Sequence, residues 1–358
     1  MKEVKLDLSA ENLSRRLEPF LSQSLQRPLR LDGWQRFPAG FSWVTMAVRA
    51  TPLDGSQALD LILRVGDPGG LLAPYQAEPE YRALEALQGI EALPVPRVYA
   101  YCDDTSVIGA PFLVTGRVEG DTPMPWKGEA ESRGASVNAS LARYFIRALA
   151  ALHSVDWRAT PLKRLWGEPD PAAVAREQTL FWWRHAGFAE DGSDALPQMY
   201  YAFRWLLRHA PPARRVVIVH GDYRVGNFLQ RDGRITAVLD WELVHAGDPH
   251  EDLAWAALRV FSGGTGRVGG IIERDAFIEQ YADAAGFSPD PDVWRYYEVL
   301  GLFKSASMLL GAAKRVEQGR AKDVRMASMG FQVAATLLEL NRLIAEAQAQ
   351  APTMETCS

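Results

Sequence analysis

The chain has 358 residues, 47% of them hydrophobic and 23% charged, with 39 Lys and Arg against 44 Asp and Glu, a formal net charge of −5. That is the balance of an ordinary globular protein, and its length exceeds the roughly 250–300 residues at which single cores tend to split, so two lobes are expected. A mildly acidic chain with scattered basic residues lacks the field that holds nucleic acid. The two cysteines, Cys102 and Cys357, are far apart, which argues against a disulfide framework or a cysteine-built metal site and points to a reducing cytoplasm. The N-terminus offers no apolar signal-peptide core, and the longest uncharged stretch, 326–338, is shorter than the ~20 residues of a membrane span, so no membrane partner is expected.

Between Asp32 and Thr115, short alternating or continuous apolar runs at 43–49, 59–65, 97–101 and 111–115 predict strands. One helix interrupts them at 75–87, where Tyr81, Leu84 and Leu87 share a face. Beyond 116–120 the periodicity becomes helical, over 137–152, 172–185, 196–209, 252–261, 271–284, 291–310 and 324–344. One β-rich passage, 215–239, breaks this run, with a hairpin signal at Arg231-Asp232-Gly233. The expected organisation is α+β and two-lobed: a small β-rich lobe over 1–115 with one main helix, a connection at 116–120, a larger, mostly helical lobe over 121–350, and a frayed tail at 351–358.

The chemistry is concentrated in His220-Gly221-Asp222, followed by Asn227 and, past the hairpin, Asp240-Trp241-Glu242. Asp222 lies just past a buried strand, Asn227 where the chain re-enters a strand, and Asp240 at the end of the partner strand. Hairpin pairing would bring all three to one edge, as the hard-oxygen site that Mg²⁺ bound to phosphates prefers. Phosphoryl transfer needs a metal held, a hydroxyl in line and charge neutralised, and three oxygens so spaced suit the first two tasks. Taken singly, Asp222 and Asn227 read equally as turn residues and Asp240 as a helix cap; the joint spacing favours a site.

These residues resemble the catalytic-loop motif and metal-binding aspartate of the aminoglycoside phosphotransferase and choline kinase family, which shares the protein-kinase-like fold. The 111–120 segment is similar to that family's hinge, and Gly247-Asp248-Pro249 with Asp252-Leu253-Ala254 to the segment after its metal aspartate. Within the family, the resemblance points to the branch that includes the kinase-like domain fused to some acyl-CoA dehydrogenases. It implies an ATP- and Mg²⁺-dependent kinase acting on a hydroxyl of a small molecule. Asp222 would orient the acceptor hydroxyl and accept its proton, and Asn227 and Asp240 would bind Mg²⁺.

In the first lobe the resemblance makes Ala39-Gly40-Phe41-Ser42 the short phosphate loop, whose Gly lets N–H groups approach the triphosphate; a plain hairpin turn is the competing reading. Arg64 stands where protein kinases have lysine, with Glu80 as its helix partner and Glu85 as a substitute. An exposed edge-strand charge is the alternative for Arg64. Adenine would lie against the backbone of Thr115, Gly116, Arg117 and Val118.

Other signals carry less. Gly264-Thr265-Gly266-Arg267-Val268-Gly269 matches GxGxxG but follows a helix and lies after the catalytic motif, so it reads as a mobile surface loop. His220, His245, His250 and Asp248 match no usual zinc spacing, and His220 reads as a packed support of the catalytic loop. The aromatic residues of 181–183 and 200–205 read mostly as core, in the insert where the family builds its acceptor pocket. Between Asp194 and Asp222 there is no acidic residue, while Arg204, Arg208, Arg214 and Arg215 are present. That favours a neutral or anionic acceptor such as a hydroxyacyl thioester, unless those charges face solvent. An aminoglycoside or other antibiotic kinase, and a nucleotide-binding pseudokinase kept open by Arg64, are the alternatives. ATP versus GTP, the acceptor's identity and the oligomeric state stay open.

Overall fold

The computed structural model describes residues 6–38, 40–189 and 191–350; Ala39 of the loop and the 351–358 tail named above lie outside them. The first lobe is a five-stranded antiparallel sheet in the order β1-β2-β3-β5-β4, formed by β1 (Leu29–Arg36), β2 (Trp43–Pro52), β3 (Leu59–Gly66), β4 (Val98–Cys102) and β5 (Phe112–Gly116). Alternation sends Met46, Val48 and Ala50 of β2 and Leu61, Leu63 and Val65 of β3 into one core. That face is covered by α1 (Ala10–Ser24), an addition to the single helix read from the sequence. Leu13, Leu17 and Leu21, four residues apart, form its buried stripe. The helix α2 (Glu78–Leu87) covers the other face and carries Glu80 and Leu84 inward.

Arg64 in β3 pairs with Thr45 of β2 on one side and Leu113 of β5 on the other, so it stands on a central strand rather than an edge. Its side chain emerges on the α2 face, the reverse of the exposed alternative, and is 14% exposed.

The second region is built on α3 (Lys127–His153), α4 (Leu162–Trp166), α5 (Val174–His185), α6 (Pro197–His209), α7 (His250–Ala256), α8 (Arg274–Ala285), α9 (Pro291–Glu317), α10 (Val324–Ser328) and α11 (Val333–Gln350). Two small antiparallel pairs lie among them. One joins β6 (Val217–Val219) to β9 (His245–Gly247), and the other joins β7 (Phe228–Arg231) to β8 (Arg234–Val238) through Asp232 and Gly233, both at positive φ. The sequence reading of one helix over 252–261 is corrected. The helix α7 stops at Ala256, and a separate 3₁₀ turn spans Arg259–Phe261.

The glycine-rich stretch after it divides in two: Gly264, Gly266 and Arg267 are exposed, as a surface loop requires, and its end is not. Val268, Gly269 and Gly270 are buried, and a Cβ on Gly269 would lie 2.1 Å from a Val225 methyl. The 268–270 end thus packs against the loop that carries Asp222 and Val225, while 264–267 stay on the surface. No helix among the described residues is long and apolar enough to cross a membrane.

Candidate active site

The strand β6 delivers the chain to His220, Gly221 and Asp222, and the backbone there is held at every step. The N–H groups of His220 and Gly221 donate to the two oxygens of Asp252 on α7, at 2.7 and 2.9 Å. The Asp222 N–H donates to His220 Nδ1 at 3.1 Å, and the opposite ring nitrogen donates to the Leu239 carbonyl at 2.9 Å. Burial lowers the His220 pKa, in keeping with this neutral tautomer. Gly221 sits at φ +83° with Leu243 O 2.6 Å from where a Cβ would be, so only glycine passes there.

Asp252 is itself 0% exposed and takes a third contact, from His153 at 3.3 Å, whose other nitrogen meets the Tyr281 hydroxyl at 2.7 Å. Burial alone would raise its pKa, but His153 and the loop N–H groups outweigh that and hold it below 3.8. Its stabilising contribution is therefore complete above 3.8 and is lost as pH falls through the lowered native value. In Asp252→Asn one N–H must face an amide NH₂. We expect a loss of about 3–5 kcal/mol at neutral pH, the range for breaking a buried charged network. Urea unfolding of the variant should also show a flatter acid limb than wild type below pH ~4.

Asp222 projects from this loop with three donors on its carboxylate: Trp255 Nε1 at 2.7 Å and Arg224 Nε at 3.0 Å on one oxygen, Asn227 Nδ2 at 2.5 Å on the other. The same Asn227 amide nitrogen also binds the Asp222 carbonyl at 2.9 Å. Asp222 and Asn227 are thus one unit, set at the mouth of the β7–β8 hairpin.

Asp240 follows β8 in a left-handed conformation, φ 66°. Its carboxylate accepts from Arg64 at 2.7 Å, and the other end of the guanidinium contacts Glu80. Glu85 pairs instead with Arg82. One arginine therefore ties β3, α2 and the strand end at Asp240, across the junction of the two regions. Burial pushes Glu80 up to about 7, against the pull of Arg64. Glu242, two residues beyond Asp240, is raised well above its ordinary value by burial and by the Asp240 charge. Its Oε2 and the Oε2 of Glu80 are buried with no hydrogen-bond partner. Carboxylates thus outnumber cations here.

Gly40, Phe41 and Ser42 form the β1–β2 turn above this cluster. Gly40 has φ +97°, the Phe41 carbonyl accepts from Leu71 N–H at 2.8 Å, and the Ser42 side chain is buried and faces Glu242 and Tyr75. At the other end of the sheet, Thr115 is buried in β5. The N–H groups of Gly116 and Arg117 are engaged by the carbonyls of Arg97 at 2.7 Å and Asp60 at 2.9 Å, and Val118 follows.

The sequence pattern described as "Phosphotransferase enzyme family" (APH) matches residues 33–297, which include most of the sheet, the connection and the whole Asp222–Asp240 segment. The chain belongs to the phosphotransferase enzyme family. It is 31% identical over 288 residues to mouse "Acyl-CoA dehydrogenase family member 10", a match covering 75% of this chain and 26% of that relative. The chain thus spans about a quarter of that protein's length. Among solved structures it resembles a protein from Ralstonia eutropha assigned as an aminoglycoside phosphotransferase, with TM-score 0.70, 25% identity, and 94% and 98% of the two chains covered. It also shares the fold of a thermostable mutant of aminoglycoside phosphotransferase APH(4)-Ia in ternary complex with AMP-PNP and hygromycin B, with TM-score 0.56, 15% identity, and 94% and 99% covered.

In this phosphotransferase-family chain the arginines read from the acid-free stretch are not grouped at Asp222. Arg214 pairs with Asp290 at 2.6 Å, Arg215 lies over the Phe287 ring at 4.4 Å, and Arg204 and Arg208 are carried on α6. The cations at Asp222 are others: Arg224, stacked over Phe261 at 5.2 Å, and Lys304 of α9, whose ammonium contacts the Gly221 carbonyl. Burial lowers the Lys304 pKa, with Glu251, Asp222 and Asp252 opposing. A separate cavity of about 640 Å³, which Asp222 does not line, is bounded by Ala257–Val260 with Arg274, Arg295 and Arg342, and there Arg274 pairs with Glu298 and Arg342 with Glu339 and Glu346. Sequence reasoning missed Lys304, although it is the one charge in the apolar run 299–310.

Proposed function

We propose that this protein is a small-molecule kinase that transfers the γ-phosphoryl group of ATP, with Mg²⁺, to a hydroxyl of a non-cationic acceptor such as a hydroxyacyl thioester. The observation that carries the reading is the convergence of Asp222, Asn227 and Asp240 on one edge, opposite Arg64.

Asp222 is the acceptor for the hydroxyl proton. Its three donors leave room on a carboxylate with about four lone-pair sites, and they fix its plane so that the incoming hydroxyl meets a set geometry. With its Nδ2 turned to Asp222, Asn227 has Oδ1 left to offer, and Asp240, 36% exposed, has its second oxygen. These two oxygens would hold Mg²⁺, which when bound neutralises charge on the phosphoryl oxygens and aligns them. The donor set fits. Among the described residues no three His, Cys, Asp or Glu side chains form a metal cage, and Mg²⁺ on phosphates is held by few protein oxygens with water completing the shell.

Arg64, kept in place by Glu80, supplies the cation beneath the phosphates, and Gly40, Phe41 and Ser42 cover them. The Gly116 and Arg117 N–H groups are already engaged, so adenine reading falls to Val118 N–H and to carbonyls from Thr115 onward. In this reading the nucleotide lies between 1–115 and 121–350, with 116–120 as the connection. Arg224, beside Asp222, favours an acceptor without positive charge.

Incubation with Mg·ATP and a panel of cationic, neutral and anionic hydroxyl compounds, read by mass spectrometry, tests this. The expected result is phosphoryl gain on a neutral or anionic member, abolished by EDTA. Preferential modification of aminoglycosides would refute the acceptor class, and gain undiminished by EDTA the metal.

A further inference from the structure

We propose that Lys304 is a positioning residue for the catalytic loop, holding Asp222 through the Gly221 carbonyl and through Trp255. This rests on the kinase reading above for its effect on turnover, but not for its effect on the loop.

The helix α9 crosses α7 closely. Gly301 has a Leu258 methyl 3.1 Å and the Trp255 ring 3.5 Å from where a Cβ would be. Lys304, one turn on and on the same face, is thereby driven under the loop. It is 2% exposed. Its ammonium donates to the Gly221 carbonyl and lies 4.1 Å above the Trp255 ring and 5.2 Å from that of Trp182.

The N–H groups of His220, Gly221 and Asp222 and the Asp222 carbonyl are held by Asp252, His220 and Asn227. Lys304 is the donor that keeps the Gly221 carbonyl from being a buried acceptor without a partner. Its second contact matters as much. Trp255 Nε1 donates to Asp222, so the cation fixes the face of the ring whose edge orients the carboxylate.

Stability alone is a poor account of this lysine. A buried ammonium is costly, and an apolar isostere of similar volume is often neutral or stabilising. What methionine cannot supply is a donor for Gly221 or a charge on Trp255.

The test compares wild type, K304M, K304R and W255F in Mg·ATP hydrolysis, Mg·AMP-PNP binding by calorimetry, and amide exchange of the full chain. In K304M we expect hydrolysis to fall on the order of 30-fold or more, AMP-PNP Kd to stay within about threefold, and exchange to rise at residues 220–224 while other core amides keep their protection. K304R, which keeps a cation able to stack between two indoles, should recover most of the rate. K304M combined with W255F should lose less than the product of the single losses.

Unchanged hydrolysis and unchanged loop exchange in K304M would overturn the proposal. So would exchange that rises throughout the helical region with no recovery in K304R, the sign of a general packing role. If wild type neither hydrolyses ATP nor phosphorylates any member of the hydroxyl panel, the kinase reading fails. The loop exchange of K304M then still decides whether Lys304 anchors Gly221.

Discussion

Asp222→Asn should lower kcat for phosphoryl transfer by about 10³-fold, within the 10²–10⁴ range for removal of a general base, with KM for ATP nearly unchanged. The substitution keeps size and removes the charge that accepts the hydroxyl proton. It also turns an NH₂ toward one of three donors, Trp255, Arg224 or Asn227, so the orientation is lost with the basicity. In the proposed reading the adenine and Arg64 contacts lie on the sheet side, away from Asp222, hence the split between kcat and KM. Initial rates across a Mg·ATP series check it; a variant within about threefold of wild type would remove Asp222 from the chemistry.

Asp240→Asn should be the second large effect, a fall in kcat/KM for ATP on the order of 10²-fold or more, partly recovered at high Mg²⁺. Asn is the informative replacement, because position 240 has φ 66° and asparagine tolerates the left-handed region better than most residues. The fold should therefore survive, with Arg64 still held by Glu80. A Mg²⁺ titration of the initial rate measures this. An unchanged Mg²⁺ optimum would place the metal elsewhere.

The part of the site read directly from sequence is the part made locally. Asp222, Asn227 and Asp240 lie within 19 residues, on one loop and the hairpin β7–β8, so turn chemistry and strand pairing alone bring them together. Arg64 and Asp240 are 176 positions apart, and their contact depends on how the sheet docks on the helical region, which spacing does not encode. The family resemblance supplied Arg64 with its partner Glu80, and the contact with Asp240 came only with the structure.

The helix α1 has Leu13, Leu17, Phe20 and Leu21 at helical spacing, but Arg15, Arg16 and Pro19 interrupt the pattern, and only the sheet face it covers shows what the stripe packs on. The arginines of the acid-free stretch misled for a related reason: charge composition along a segment does not say which side of the fold it meets, and Arg214 and Arg215 turn to Asp290 and Phe287. Lys304 was visible as a lone cation in an apolar run, but its target, the Gly221 carbonyl, lies 83 positions away.

The central claim is that the Asp222–Asn227–Asp240 edge moves an intact phosphoryl group from nucleotide to a carbon-bound hydroxyl. ATP carrying ¹⁸O on the three non-bridging γ-oxygens tests it most directly when supplied with Mg²⁺ and a pool of hydroxyl metabolites. The account predicts one acceptor that gains a phosphoryl group retaining all three labels, with none formed by Asp222→Asn. Label appearing only in inorganic phosphate, with no acceptor modified, would contradict it.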